Sequence, residues 1–241
     1  MKILALIPAR SGSKGIKDKN IREVCGYPLI AYSILASQII GVGKIMVSTD
    51  SSKIAGIVRD YGVAVPFLRP TEISQDNSLD IEWVIHALDW LEDKEGYIPD
   101  LIVHLRPTTP LRRPETIGTA IHMIIASPEA TSLRSAHLLE ESPQKMFVIK
   151  GDFYAPFLNG KGEFYNKPRQ EFPNVYWPNG YVDILRPEVI RKGSMHGDKI
   201  LPFITEKVIE VDSEENLKEL ELIGYEHIMT KLLALRRPQE I

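Results

Sequence analysis

The chain has 241 residues, 44% of them hydrophobic and 25% charged, with a formal net charge of −3 and a single cysteine, Cys25. That length suits one α/β domain with a core large enough to fold without staples, the balance of charge leaves no global basic field for nucleic acid, and one cysteine leaves no intrachain disulfide framework. No apolar run is long enough to span a bilayer, and the opening MKILALIPAR is too short for a secretory signal, so the expected compartment is the cytoplasm.

Ile3 to Ile7 is a continuous apolar run, as expected of a strand buried on both faces. A basic glycine loop follows, and then a helix over Leu29 to Ile40. A second strand is expected over Lys44 to Val47, a helix over Ser51 to Tyr61, a short strand over Val63 to Phe67 and a helix over Leu79 to Leu91. Leu101 to Leu105 reads as another buried strand, and Pro114 to Ile125 as a helix with Pro and Glu in its first turn. Strands alternating with helices imply a mostly parallel sheet covered on both faces. The rhythm changes after about residue 132, and residues 140 to 180, rich in Pro, Gly, Asn and aromatics, predict a projecting arm. A last strand over Lys207 to Val211 and a helix from Ser213 to about Leu235 complete a single domain, 1–241, with an inserted arm.

The glycine loop, IPARSGSKGIKDKN, carries the strongest chemical signal. It leaves the carboxyl end of the first strand, where α/β sheets bind ligands. Gly12 and Gly15 let backbone amides approach an anion, while Arg10 and Lys14 add charge. These parts suit a phosphate chain, although the spacing matches neither GxxxxGK[ST] nor GxGxxG. An exposed turn is the plain alternative, and Lys17 reads as a solvated lysine.

The segment ALIPARSGSKGIKDKNI resembles the opening of the acylneuraminate cytidylyltransferases, or CMP-sialic acid synthetases. Further matches follow in that family's order: VSTDSSKIA at 47–55, VPFLRPTEISQDNS at 65–78, HLRPTTPLR at 104–112, KPRQEFP at 167–173, PNGYVDI at 178–184 and EVDSEENL at 210–217. The resemblance implies a Rossmann-like nucleotidyltransferase fold, coupling of CTP to a nonulosonic 2-keto sugar acid with release of pyrophosphate, a Mg2+ requirement and a homodimer built through the arm.

It also implies roles. Arg10, Gly12, Ser13, Lys14 and Lys19 match the nucleotide loop, Asn20 a base-contacting position and Arg69 an arginine near the cytosine. Arg10, Lys19 and Asp212 are the expected catalytic set, and Arg106, Lys145, Arg169, Gln170 and Asn179 the expected sugar-acid contacts. Arg106 stands where the family often has Gln, and an arginine there could pair with a carboxylate. Asp76 reads equally as a helix cap or a ligand contact. Glu210 and Asp212 are the metal candidates, since alternate residues of a strand share a face. The family pattern is Asp-x-Asp, so the longer Glu210 places more weight on Asp212. The rival readings are a nucleotidyltransferase for another sugar or sugar phosphate, and a non-catalytic binding relative. Sialic, legionaminic and pseudaminic acids remain open as substrates.

Overall fold

The computed structural model of the chain describes residues 1–223. β1 (Ile3–Pro8) is the first apolar run, and Leu4 to Ile7 are fully buried because both sheet faces are covered. The glycine loop leads into a small hairpin, β2 (Glu23–Val24) and β3 (Tyr27–Pro28), turned by Cys25 and Gly26 at φ 50° and 77°. α1 (Leu29–Ile39) is buried continuously from Leu29 to Ser37, as an apolar helix at the centre of a domain should be. β4 (Lys44–Ser48) is followed by α2 (Ser52–Asp60), whose start is capped by Ser51 accepting from the Ile54 N–H. α3 (Asp80–Glu95) opens with the Glu82 carboxylate accepting from the Leu79 N–H and stops at Gly96, which takes the left-handed conformation. β5 (Leu101–His104) and α4 (Pro114–Ile125) follow as the sequence predicts.

The second half contains β6 (Ser132–Leu138), β7 (Phe147–Lys150), β8 (Phe153–Pro156), β9 (Tyr176–Leu185), α5 (Pro187–Arg191), β10 (Ile200–Ile204) and α6 (Glu214–Leu222). Six strands form one sheet in the order β10-β6-β9-β5-β1-β4. β4, β1 and β5 run parallel, β9 runs antiparallel between β5 and β6, and β10 is parallel to β6. The mostly parallel α/β sheet flanked by helices is therefore present, with β9 as its antiparallel element. One face is packed by Ile30 and Ile34 of α1, Ile54 and Val58 of α2, and Ile117 and Ile124 of α4. The other is packed by Trp83, Val84, Leu88 and Leu91 of α3 with Ile190 of α5. A third cluster, outside the sheet, joins Ile16 of the glycine loop to Val24, Leu29, Tyr32, Val211, Leu217 and Leu220. Among the described residues no helix is long and apolar enough to cross a membrane.

The structure departs from expectation in three places. Val63 to Phe67 is not a strand: Val63 and Val65 are buried in the core, but the segment has no ladder partner. Lys207 to Val211 is also not a strand, and a single backbone bond, Val211 N–H to the Thr108 carbonyl at 2.7 Å, ties it in place. The edge position is instead taken by β10, where Pro202 is tolerated because an edge strand need not donate on both sides. Finally, the arm ends earlier than residue 180. Tyr176, Trp177, Asn179 and Gly180 belong to β9 of the main sheet, which leaves β7 and β8 as a separate two-stranded sheet between 139 and 175. The expected continuation of the last helix to Leu235 lies outside the described residues.

Candidate active site

The glycine loop is pinned from several sides. Ser11 donates to Asp50 from both its N–H (2.8 Å) and its hydroxyl (2.7 Å), anchoring the loop to the end of β4. Buried Asn20 donates its amide to the Arg10 carbonyl at 2.9 Å, closing the loop on itself. Ile16, 1% exposed, drives the middle of the loop into the third apolar cluster. That cluster also holds Val211, so it brings the far end of the chain beside the loop. The approach is close: a Cβ on Gly15 would stand 2.7 Å from the Asp212 carbonyl oxygen, so only glycine fits. Gly12 has no such restriction, its nearest atom being Arg10 Nη1 at 3.9 Å.

A cleft of about 400 Å³ opens above these residues. It is lined by Arg10, Ser13, Lys14, Lys19, Asn20 and Arg69 from the predicted nucleotide set, and by Asp76, Asp80, Trp83, Arg106 and Asp212. Arg10 and Lys14 both meet the Asp76 carboxylate at 2.7 Å, and Lys19 meets Asp212 at 2.9 Å. The hydrogen bonds from Lys14 and Arg10 hold Asp76 below the usual carboxylate range. Asp76 does not cap α3, since Glu82 occupies that role. Exposed Lys17 is not among the lining residues.

Arg69 is 5% exposed and donates to the Ser48 hydroxyl (3.0 Å) and carbonyl (2.6 Å), with its guanidinium 4.9 Å from the Trp83 ring centroid. Burial pushes its pKa down to about 10, so it still carries charge at neutral pH. The Trp83 indole N–H donates to Asp80 at 3.1 Å, and the other oxygen of Asp80 accepts from Arg106 at 3.0 Å. Arg106 also donates to Asp183 at 3.0 Å. Burial works against its charge, yet Asp183 and Asp80 together hold its pKa above the ordinary value. Two protein carboxylates thus occupy the arginine for which the sequence suggests a substrate carboxylate. Burial opposes ionisation of Asp80 as well, but His104 and Arg106 bring it down to about 2.

Arg112 lies beneath this wall, 2% exposed; it closes the HLRPTTPLR motif, which gives it no role. It donates to the Tyr181 carbonyl, the Ser33 hydroxyl (3.0 Å), the Arg106 carbonyl (2.6 Å) and the Gly180 carbonyl (2.9 Å). Burial lowers its pKa to about 9. It thereby locks the loop after β5 to β9. Gly180, at φ 62°, sits against Thr109 and Glu210.

The metal candidates are adjacent but not by the strand geometry expected for them, because residues 207–211 form no strand. Asp212 lines the cleft, with 69% of its side chain exposed. Glu210 lies beside Gly180, and burial, then the charge of Asp212, raises its pKa. Among the described residues no third His, Cys, Asp or Glu joins them in a metal-binding cluster. Magnesium needs only one or two carboxylates when substrate phosphates and water complete its shell, so Asp212 on the cleft suffices, while Glu210 lines a separate cavity with Arg112 and Asn179.

The expected sugar contacts are dispersed. Arg169 donates to the Leu139 carbonyl at 2.9 Å and, with Gln170, lines a separate cavity of about 450 Å³ beside Ser142, Phe172 and Asn174. Lys145 is exposed on a short turn, Pro143–Lys145. Asn179 is 3% exposed and spends its amide on Thr205 (2.7 Å), holding β9 to the segment after β10. The chain therefore gathers the nucleotide set, apart from Gly12, into one cleft with Arg106, and leaves Lys145, Arg169, Gln170 and Asn179 outside it.

Comparison with known proteins bears on the family and the fold. Over 212 residues the chain is 34% identical to the CMP-N,N'-diacetyllegionaminic acid synthase of Legionella pneumophila, covering 87% of this chain and 89% of that protein. It is 28% identical over 229 residues to an N-acylneuraminate cytidylyltransferase of Streptococcus agalactiae, covering 93% of this chain and 53% of that protein, so it spans about half the length of that relative. Its fold matches a CMP:2-keto-3-deoxy-manno-octonic acid synthetase solved with CTP, at a TM-score of 0.70 and 18% identity, over 94% of this chain and 100% of the other. A family model described as Cytidylyltransferase matches residues 4–167. With a cationic cleft at the carboxyl end of β1 and a family match over most of its length, the chain belongs to the cytidylyltransferase family.

Proposed function

We propose that this chain couples CTP to a nonulosonic acid, giving the CMP-sugar and pyrophosphate. The observation that carries this reading is the cleft beside β1, where Arg10, Lys14, Lys19 and Arg69 converge on a site of nucleotide size. The sugar class rests on the names of the Legionella and Streptococcus relatives.

In this reading the anomeric hydroxyl attacks the α-phosphorus of CTP in line. A sugar-oxygen–phosphorus bond forms, the bond to the β-phosphate bridging oxygen breaks, and the hydroxyl proton is lost to solvent. The chain contributes position and charge. Arg10 and Lys14 at the mouth and Lys19 deeper in the cleft face the phosphates and offset the charge that gathers on pyrophosphate as it leaves. Arg69, fixed by Ser48 and Trp83, forms the base-side wall. Asp212, on the cleft, would hold Mg2+, with Glu210 as the second candidate carboxylate, and the ion would supply charge neutralisation and lower the pKa of the attacking hydroxyl.

The rest of the proposal concerns assembly. The arm displays Ile149, Phe153 and Tyr154 at 74%, 79% and 76% exposure, and Trp177 and Tyr176 are exposed on β9. Such a patch favours a two-fold homodimer, with Arg169, Gln170 and Lys145 completing a sugar pocket near the seam. We place the protein in the cytoplasm, where CTP is available. A panel of nonulosonic acids with CTP and magnesium, read by pyrophosphate release, tests the function. Turnover with at least one acid and not with sugar 1-phosphates is the expected result, and turnover with sugar 1-phosphates alone would replace the reading.

A further inference from the structure

Asp76 holds a position that helix capping does not explain and the proposed mechanism does not use. Its carboxylate bridges the two most exposed cations of the cleft, Arg10 and Lys14, at 2.7 Å each. Among the described residues it has no other hydrogen-bond partner. It is not needed to shape its own loop. Ser74 bonds to the Pro70 carbonyl, Gln75 to the Thr71 carbonyl and to Ser78, and Ser78 to the Glu72 carbonyl. It is not the cap of α3 either. What remains is an anion placed on the cations that the nucleotide reading assigns to phosphate.

We infer that Asp76 acts as a built-in competitor of the phosphate chain, an exchangeable counter-anion that yields Arg10 and Lys14 to the incoming triphosphate and reclaims them as pyrophosphate leaves. This rests on the nucleotide reading of the cleft. With Asp76 in place the trio of Asp76, Arg10 and Lys14 carries a net charge of +1 in place of +2, and a phosphate oxygen approaching either cation meets a carboxylate at close range. Lys14 is 81% exposed at its side chain and Asp76 37%, so both move without disturbing the core. Each pair is of the solvent-screened kind, and such pairs are broken easily. An acid at this point therefore weakens the grip on both nucleotide and pyrophosphate, and keeps the product from remaining bound.

The test is titration of the intact protein with CTP and, separately, with inorganic pyrophosphate, for the wild type, Asp76→Asn and Asp76→Ala. From the strength of two exposed ion pairs, both variants are expected to bind both ligands about threefold to tenfold more tightly. Their thermal midpoints should stay at the wild-type value, and pyrophosphate should become a stronger product inhibitor. A carboxylate that merely ties two loops together would weaken binding when removed, and one that itself contacts the nucleotide would do the same. Unchanged or weaker binding by both variants, with the wild type binding CTP, overturns the inference and leaves the nucleotide reading standing. Failure of the wild type and both variants to bind either ligand overturns both.

Discussion

The cleft half of the molecule and the arm stand in opposite relations to water. From residue 3 to 125, most apolar side chains are turned inward on both faces of the sheet, Leu68, Leu79, Ile98 and Ile125 excepted, and the charged cleft opens at the carboxyl end of β1. Between 139 and 175 the order is reversed. Phe147 packs on Tyr165 at a centroid distance of 4.9 Å and Phe164 on Tyr165 at 5.7 Å, but Phe153, Tyr154 and Ile149 face outward from a two-stranded sheet. A lone hairpin is marginal in water. The first region completes its own burial and so can hold a charged site rigidly, whereas the second is left with apolar surface for another body to cover.

The sharpest way to break this comparison is at Arg112. Arg112→Met removes four hydrogen bonds that hold the cleft wall to β9 and should lower unfolding free energy by roughly 3 kcal/mol. Denaturant unfolding checks it, and a loss under about 1 kcal/mol would show that the wall does not depend on this side chain. Next in size is Asp212→Asn, expected to cut magnesium-dependent turnover about 100-fold at an unchanged melting temperature. Equal turnover at limiting magnesium would remove Asp212 from the metal site.

The arm should answer to a different measurement. Phe153→Ser with Tyr154→Ser is expected to shift sedimentation from dimer to monomer and to raise KM for the sugar acid, while CTP binding stays within about twofold because the nucleotide cleft lies in the other region. A wild-type monomer of full activity would dissolve the contrast. The smallest effect is one of pH. His104 is fully buried between Trp83 and Asp183, and burial lowers its pKa to about 3. The unfolded chain therefore takes up this proton first, so stability is fully present above pH 6.5 and falls as pH drops from 6.5 toward 3. Unfolding midpoints at pH 7, 6 and 5 should decline, and decline less in His104→Leu; equal declines would mean that other groups set the slope.

Legibility in the sequence follows the range of the forces involved. The strands β1, β4 and β5 and the helix Pro114–Ile125 announce themselves through local apolar runs and start signals. The glycine loop does so through its place after β1. β6, β9 and β10 do not, because Arg134 and His137, Pro178 and Gly180, and Pro202 break the patterns that mark strands, and only neighbouring strands make them one. The same holds inside the site. Asp183 becomes a partner of Arg106 because the register sets it opposite His104 and Arg134 across the sheet. Asp80 matters because α3 aims it at Arg106 and Trp83. Neither relation has a local signature, and nor does the buried fork of Arg112.

The contact between Gly15 and the Asp212 carbonyl has a consequence for the timing of biogenesis. The glycine loop leaves the ribosome long before its partners, since the carboxylate that meets Lys19 lies 193 positions later. Until residues 211–220 have emerged, Ile16 and Tyr32 lack the cover of Val211, Leu217 and Leu220, and Lys19 lacks its carboxylate. Burial of the loop therefore waits on residues 211–220, and a nascent chain halted before Val211 carries the glycine loop without this cover and without the partner of Lys19.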